Sequence, residues 1–458
     1  MIVFLVIYVL CFFISLHGLF RGNTDRLFFF IIFSLPLYFT ALSIAYSYGL
    51  EKLIPVFQAF KEIIIILTLG TLLYQRKKAI RFHLLDWLVL AYFAYTFFYV
   101  VLPLGNFGFT DRLLAFKSLS FFPFIYFSGR LIDVSKINFN RYFSFICIVS
   151  ILAGCVLLVE VIRYEHLQVY TGYAEFNQHF FNQDPGGNYG LSWTFETPQG
   201  LKRFASFYGG PLELGVNTIC TASVLIALAT KDNNKFIPNK FIVLTLLFTV
   251  FSIFLALSRA SFASYFLIIY VYAYITYHKK ITKAFHYTAI GAVLLVLFWL
   301  QGDIYDWVIN TIDFSDSSSA FHVIQWLDGI QAIAKSPLGL GLGMSGRVAI
   351  ATDSNIGGEN QLIIIGVQAG LVAVALYLMI YIYTIRTCVK LFRQTKGKAR
   401  KAPLALFLLK LGIIVPMLTA NTESYIYLSY ISWFLTGIIV NIVMERYPAT
   451  EIPEHIPA

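Results

Sequence analysis

A chain of 458 residues that is 58% hydrophobic, 13% charged and carries a net charge of +10 is too apolar along its whole length for a soluble domain. Apolar runs of about twenty residues recur from end to end, the length a helix needs to cross a bilayer, which excludes a soluble protein with a single anchor. The five cysteines, Cys11, Cys147, Cys155, Cys220 and Cys388, are scattered without metal-ligand spacing and read as small buried thiols.

Taken in chain order, hydropathy predicts an all-α polytopic membrane protein of about thirteen transmembrane helices (12–14) in one integral domain. The expected spans are 2–20, 27–49, 54–75, 84–103, 113–130, 142–163, 211–230, 241–257, 261–278, 285–300, 361–385, 404–420 and 424–444. The first lacks a basic leader and a small-residue cleavage site, so it reads as a retained helix. Two long connections stand out, 164–210 and 301–360, together with a basic connection at 386–403 and a flexible tail at 445–458.

Most of the Lys and Arg then fall on one set of connections, from Arg21 and Arg26 through Arg76–Arg81, Arg130–Arg141, Lys231–Lys240, Lys279–Lys283 and Arg386–Lys401 to Arg446. The positive-inside rule makes that face cytoplasmic, with the N-terminus outside and the C-terminus inside. The surplus charge is thus topological, with some affinity for anionic membrane lipids, and gives no reason to expect nucleic acid. The two long loops lie on the other face, where a site is expected.

Four stretches on that face carry chemistry. In "LKRFASFYGGPLELG" (201–215) a basic pair leads to a Pro-started helix with Glu213 in its first turn, either a functional carboxylate or a helix-start acid. Arg203 above it is either a ligand for an anion or a snorkelling side chain. In "FLALSRASFASYFLIIY" (254–270), Arg259 occupies a turn of a few residues between two spans. A cation there is functional by default, the alternative being an anchor to lipid phosphate. In "SSSAFHVIQWLDGIQAIAKSPLGLGLGMSGR" (317–347), serines cap a helix over about 320–334 with Phe321, Ile324, Leu327 and Ile330 on one face. The Gly-rich run after Pro337 lacks a preceding strand and a following Lys-Ser/Thr, so it is no nucleotide loop and reads as a close-packed turn; Arg347 follows as a third cation. In "NIGGENQLIIIGVQAGLVAVALYL" (355–378), Glu359 and Asn360 precede a span, where the carboxylate is a general base or a helix cap. Arginines gathered on one face ask for an anion, and a lipid-linked pyrophosphate lies at that depth. Charges also fall inside spans: Lys61, Glu62, Lys117, Glu160 and Lys410. Lys117 either contacts the anion or pairs with a carboxylate such as Glu160.

These stretches, in this order over about 200–385, resemble the O-antigen ligase and O-antigen polymerase superfamily of membrane glycosyltransferases. "RFASFYGGPLELG" is similar to the family's Arg, small-residue step and Pro before a helix; "LSRASF" to its Ser-Arg turn; "WLDGIQAIAKSPLGLGLG" to its Trp-containing loop helix with a Pro-Leu-Gly-x-Gly-x-Gly run; and "ENQLIIIGVQAGLVAVALYL" to its polar signature before a span. The resemblance implies cofactor-free, metal-independent, inverting glycosyl transfer outside a bacterial cytoplasmic membrane. Undecaprenyl pyrophosphate carries the donor glycan, Arg203 and Arg259 hold the departing pyrophosphate, and Lys117, His322, Trp326, Arg347 and Asn360 contact substrate. Ligases carry His-Asn where this chain has Glu359-Asn360, and many relatives carry Arg where this chain has His322; both departures favour a polymerase. The base is one of Glu359, Glu213, His322 and Asp353.

The leading expectation is therefore a polymerase of lipid-linked repeat units for O-antigen, capsule or exopolysaccharide, using the aromatic and amide side chains of 164–200 to stack and bond sugars. A chain-length regulator is a further candidate partner. A ligase that moves finished glycan to lipid A-core or to a protein is the second reading, and a lipid-linked oligosaccharide transporter the third, although no paired halves are visible.

Overall fold

The computed structural model describes residues 1–76, 79–102, 104–298, 317–352 and 355–446. Among them every regular element is helical, and the only strand-like pairings are two isolated bridges, Glu196–Lys202 and Thr230–Phe236. In chain order the helices are α1 Val3–Phe20, α2 Arg26–Phe33, α3 Tyr38–Ser47, α4 Ile54–Gln75, α5 Leu84–Val101, α6 Phe109–Ser120, α7 Phe122–Leu131, α8 Phe139–Arg163 and α9 Tyr173–Phe181. They continue with α10 Pro211–Ala229, α11 Lys240–Ala256, α12 Arg259–Ile275, α13 Lys279–Phe298, α14 Ser317–Lys335, α15 Arg347–Ala351, α16 Gln361–Gln394, α17 Lys401–Thr419 and α18 Ile426–Arg446.

Nine spans among the described residues are long and apolar enough to cross a membrane, α2 and α3 counting as one, Arg26–Ser47. The chain is thus an all-α, multi-pass membrane protein, and nine of the expected thirteen spans meet that length among the described residues. The other four differ locally. The span expected at 113–130 breaks at Phe121, where Pro123 opens a new helix. α11 and α12 are apolar but only 17 residues each. α13 starts in the basic run Lys279–Lys283. The basic connection expected at 386–403 is also shorter, because α16 stays helical to Gln394. The tail beyond Arg446 lies outside the described residues.

The basic connections do meet at one end of the bundle. Arg400 donates to the carbonyls of Lys231 (3.1 Å) and Asp232 (2.9 Å), Lys401 to Asn140 (2.6 Å), and His278 bonds the carbonyl of Asn234 (2.8 Å). Arg130, fully buried there, pairs with Asp86 at 3.2 Å and donates to the carbonyl of Arg81. A buried ion pair with its remaining valences filled avoids the cost of a lone charge.

At the opposite end, α16 is not one helix but two. Gly370 has φ 76° and ψ −177° inside it. The run after Pro337 wedges into that break: Leu340 N–H donates to Val367 O (2.7 Å), Gly341 N–H to Gln368 O (3.2 Å), Gly343 N–H to Gln368 Oε1 (2.9 Å), and Leu371 N–H to Pro337 O (2.8 Å). Peptide groups freed by the break are thereby re-satisfied, the condition for non-helical backbone at membrane depth. The Gly-rich run is a packing device, as its close-packed reading expects. A Cβ on Gly370 would stand 2.4 Å from the carbonyl carbon of Leu338. α14 lies on the first half of α16, with Gly329 against Ile363 and Ile333 against Gly366, while Phe321, Ile324, Leu327 and Ile330 face outward and are exposed.

Gly370→Ala is expected to lower the melting temperature of the detergent-purified protein, since backbone strain of about 1–3 kcal/mol adds to the overlap with Leu338. Gly397→Ala is the control: φ is also positive, at +65°, but nothing lies within 4 Å of a Cβ. Equal melting of the Gly370→Ala protein and wild type would refute the wedge.

Candidate functional site

The stretch 203–211 runs through the bundle as irregular backbone, and side chains from five elements satisfy it. Phe204 N–H donates to Leu255 O at the end of α11 (3.1 Å). Ser206, in the left-handed region at φ 55°, gives its N–H to Glu160 (2.9 Å) and its hydroxyl to Ala153 O (2.9 Å). Thr40 donates to Phe207 O (2.7 Å), and Gln168 to Ser206 O (2.8 Å) and Tyr208 O (3.0 Å). Gly209 gives its N–H to Glu213 (3.0 Å), and the Tyr173 hydroxyl bonds the Gly209 carbonyl. Buried peptide groups need such partners. Glu160, which also accepts from Leu167 N–H at 2.8 Å, is thereby explained as a backbone clamp. It is not the partner of Lys117.

This clamping places Arg203. Its Nε donates to Ala256 O (3.3 Å), Nη2 to Leu257 O (3.1 Å) and Nη1 to Thr194 O (3.4 Å). Two of those carbonyls end α11, where a cation also meets the negative end of the helix dipole. Arg203 is therefore docked on the protein and does not snorkel. Leu257, at φ 45°, ends α11, and the Ser258 hydroxyl caps α12, accepting from Ser261 N–H at 3.4 Å. Arg259 opens α12 and is exposed. The two-residue turn is reached by α10 at Gly215, where a Cβ would stand 2.7 Å from Ser261 Oγ. Burial holds the Arg203 proton affinity below its ordinary value, Tyr425 opposes the shift, and the charge of Arg259 adds to it. Arginine stays charged regardless, so two guanidinium groups share this turn.

Tyr425 is the hub. It follows a 3-10 turn, Thr422–Ser424, and is half-buried. Burial pushes its phenol well up, and it feels the charges of Glu359, Glu213 and Arg203 as well as Tyr173. The turn is fixed by Glu423, whose carboxylate accepts from Tyr377 (2.6 Å), Ser429 (2.5 Å) and the Trp433 indole (2.9 Å). Glu213 is buried in the first turn of α10 with one oxygen on Gly209 N–H. Glu359 is exposed, and desolvation by the surrounding protein raises its pKa. Asn360, not Glu359, is the helix cap: its Oδ1 accepts from Leu362 N–H (2.9 Å) and Ile363 N–H (3.2 Å), and the residue is buried.

On the far side of Tyr173 lies Arg347. Its guanidinium stacks over Phe181 at 4.1 Å and Phe39 at 5.9 Å, and burial lowers its proton affinity against the opposing effect of Tyr38 and Tyr173. Lys117 pairs with Glu62 at 2.7 Å. His322 and Trp326 are one turn apart on α14, half-buried, and Gln325 between them lies against Gly358, next to Glu359. The indole N–H of Trp326 is buried with no hydrogen-bond partner among the described residues. Asp353 lies outside the described residues. The sequence singles out the cations and both carboxylates but not Tyr425, Tyr173 and Tyr38. The only signal for Tyr425 is the polar "NTES" before the last span.

The loop 164–210 is partly helical (α9) and folds on itself. His166 is buried among the rings of Phe204 (5.2 Å), Phe195 (5.4 Å) and Tyr189 (5.8 Å). Lys202 lies over Tyr164 (4.1 Å) and Tyr189 (4.4 Å). These aromatics are engaged in packing, whereas Trp193 is exposed. Among the described residues no group of three or more His, Cys, Asp or Glu is placed to hold a metal ion. No protein-family model matches the chain, and no curated protein matches it. Chemically, the arrangement offers fixed positive charge and a carboxylate of raised pKa within the field of Tyr425, which suits an anionic leaving group and a proton-losing nucleophile.

His166 supplies a test of this loop. Neither ring nitrogen has a partner among the described residues. Burial, aided by Lys202 and opposed by Glu196, lowers its pKa from 6.5 to about 4. The unfolded chain therefore binds a proton first, and stability falls as pH drops from 6.5 toward 4, by ~3 kcal/mol if the whole shift is expressed. His166→Phe is expected to remove that part of the acid sensitivity, read as the difference in melting temperature between neutral and mildly acidic buffer. An unchanged difference would refute the assignment.

Proposed function

We propose that the protein is a polymerase joining lipid-pyrophosphate-linked oligosaccharide repeats into a surface polysaccharide. The observation that carries this reading is that Arg203, docked on the turn that Arg259 follows, shares the field of Tyr425 with Glu213 and Glu359, at the bundle end away from the basic connections. By the positive-inside rule that end faces outward from the cytoplasmic membrane, with the N-terminus outside and the C-terminus inside.

In the proposed reaction a hydroxyl oxygen of the acceptor glycan attacks the anomeric carbon of the donor, with inversion. The bond from that carbon to the pyrophosphate oxygen breaks, and the electron pair leaves with the lipid pyrophosphate. Glu359 takes the hydroxyl proton. It is preferred over Glu213 because Glu213 is buried and spends an oxygen on Gly209 N–H, whereas Glu359 is open. Arg259 and Arg203 stabilise the charge that develops on the leaving oxygen. Arg203 does so from a fixed position, held by three carbonyls. The donor is already activated, so no nucleotide is required. A ligase using the same donor and a foreign acceptor is the second reading; its support is that the arginine pair serves any lipid-pyrophosphate donor.

The test uses purified protein in liposomes with a lipid-pyrophosphate-linked repeat unit and resolves products by size. Wild type is expected to form a ladder. Arg259→Ala is expected to slow it about 10²–10³-fold, as for loss of one donor to a developing oxyanion. Glu359→Gln is expected to slow it about 10²–10⁴-fold. The base must be deprotonated, and its pKa is raised, so the wild-type rate should climb with pH above the ordinary carboxylate range; Glu359→Gln should flatten that limb. Single-step transfer to a foreign acceptor would replace the polymerase by a ligase. Movement of the lipid-linked unit without any glycosidic product would replace it by a transporter.

A further inference from the structure

α14 has three sides of different chemistry. Phe321, Ile324, Leu327 and Ile330 recur at every third residue, so they form one ridge on the helix surface, and each is 56–61% exposed. Beside that ridge runs a polar row, Gln325, Asp328 and Gln331. The C-terminal part of the row, with Lys335 and Ser336, lines an open groove of about 370 Å³. The third side packs on the first half of α16, with Gly329 against Ile363 and Ile333 against Gly366.

The depth of α14 decides what meets the apolar ridge. α16 is a membrane-crossing helix, and the chain carries no charge between Glu359 and Arg386. Arg386, Lys390 and Arg393 mark its basic end. A hydrocarbon layer takes about twenty helical residues at ~1.5 Å each. Counted from Arg386, that length ends near Gly366, the residue under Ile333. α14 therefore lies at the edge of the hydrocarbon layer away from the basic end, not above it in water. The apolar surface is also continuous. Leu371 N–H donates to Pro337 O (2.8 Å), and Leu338, Leu371 and Val372 are exposed on either side of that bond. Leu371 and Val372 belong to the span, so lipid wets the surface that runs on to the end of α14.

We propose that α14 is an in-plane helix seated in the outer leaflet of the bilayer. Its ridge from Phe321 to Ile330 lies among the upper acyl chains, and Asp328 and Gln331 lie among the headgroups. Lys335, in the last turn, is placed to meet lipid phosphate. The inference does not rest on the glycan-transfer reading and goes beyond it. Its consequence for the candidate site is positional: Gln325 lies against Gly358, next to Glu359. The leaflet that seats α14 thereby sets the height of Glu359 relative to the lipid phosphates.

The experiment places single nitroxide labels on full-length protein in liposomes. Cys155→Ser removes the one exposed cysteine, the other four being buried. Labels go on Leu327→Cys, Asp328→Cys and, as the lipid-facing reference, Leu371→Cys. Accessibility to oxygen and to a water-soluble nickel chelate gives the depth of each. The Leu327 label is expected about 5–10 Å below the lipid phosphates, with an oxygen-to-nickel ratio shifted toward that of Leu371. The Asp328 label is expected at the phosphates or in water. Melting at the temperature of the Cys155→Ser parent shows that a labelled protein is folded, and Ile330→Cys replaces Leu327→Cys should the latter fail. Nickel access at Leu327 equal to that at Asp328 would overturn the proposal. So would protection of Leu327 from both reagents, which means that protein covers the ridge; dipolar broadening between labels would then identify a second copy of this chain. Neither of those outcomes touches the glycan-transfer reading, which the ladder assay tests separately.

Discussion

The arrangement of this protein depends on one constraint: backbone that leaves helical geometry inside an apolar bundle must find every hydrogen-bond partner within the chain. The stretch Arg203–Pro211 meets it through Thr40, Glu160, Gln168, Tyr173 and Glu213. Each of these side chains comes from a different part of the sequence, so α3, α8, α9 and α10 are tied to one irregular segment. Arg203 emerges from that segment onto the last carbonyls of α11, and the geometry of the arginine pair follows. The same constraint operates at Gly370, where the run Pro337–Gly343 fills the break in α16. Two irregular segments, each satisfied by the protein, thus flank the carboxylates.

Buried charge is managed in three ways. Asp86 and Arg130 form a complete pair at the basic end. Glu160 and Glu423 form no ion pair among the described residues but accept from amides, hydroxyls and an indole. Lys410 lies over the rings of Trp433 (4.1 Å) and Tyr381 (4.8 Å), within the field of Glu423. The basic end and the core therefore balance locally. The arginine turn carries positive charge in excess, and that asymmetry separates structural charge from candidate binding charge.

Much of this was legible in the sequence, for physical reasons that differ by element. Long apolar runs announce spans because a bilayer imposes a length, and the basic connections sort to one end because their charges stay out of it. The stretches around Arg203, Arg259, Arg347 and Glu359 stood out because polar residues interrupt apolar ones. What failed to show is what three-dimensional packing decides. Glu160 was read beside Lys117, but hydropathy says nothing of which helices touch; Glu62, one turn's reach away on α4, takes that lysine. The cap at 359–360 went to Asn360 because the amide oxygen reaches both Leu362 and Ile363 N–H. Tyr425 was invisible among 29 tyrosines, since its importance lies in what surrounds it.

Arg203 and Arg259 resemble each other in sequence but not in their surroundings. Arg203 commits Nε, Nη1 and Nη2 to three carbonyls and is half-buried. Its charge is fixed in place before any ligand arrives, which is what electrostatic stabilisation of a leaving group requires. Arg259 begins a helix and is exposed, so an anion at the turn can reach it from solvent. In the proposed transfer, Arg203 would stabilise the leaving charge from a fixed position while Arg259 would meet it from the solvent side. That division makes Arg203 the member whose loss also disturbs the end of α11, and Arg259 the member whose loss speaks to chemistry more directly.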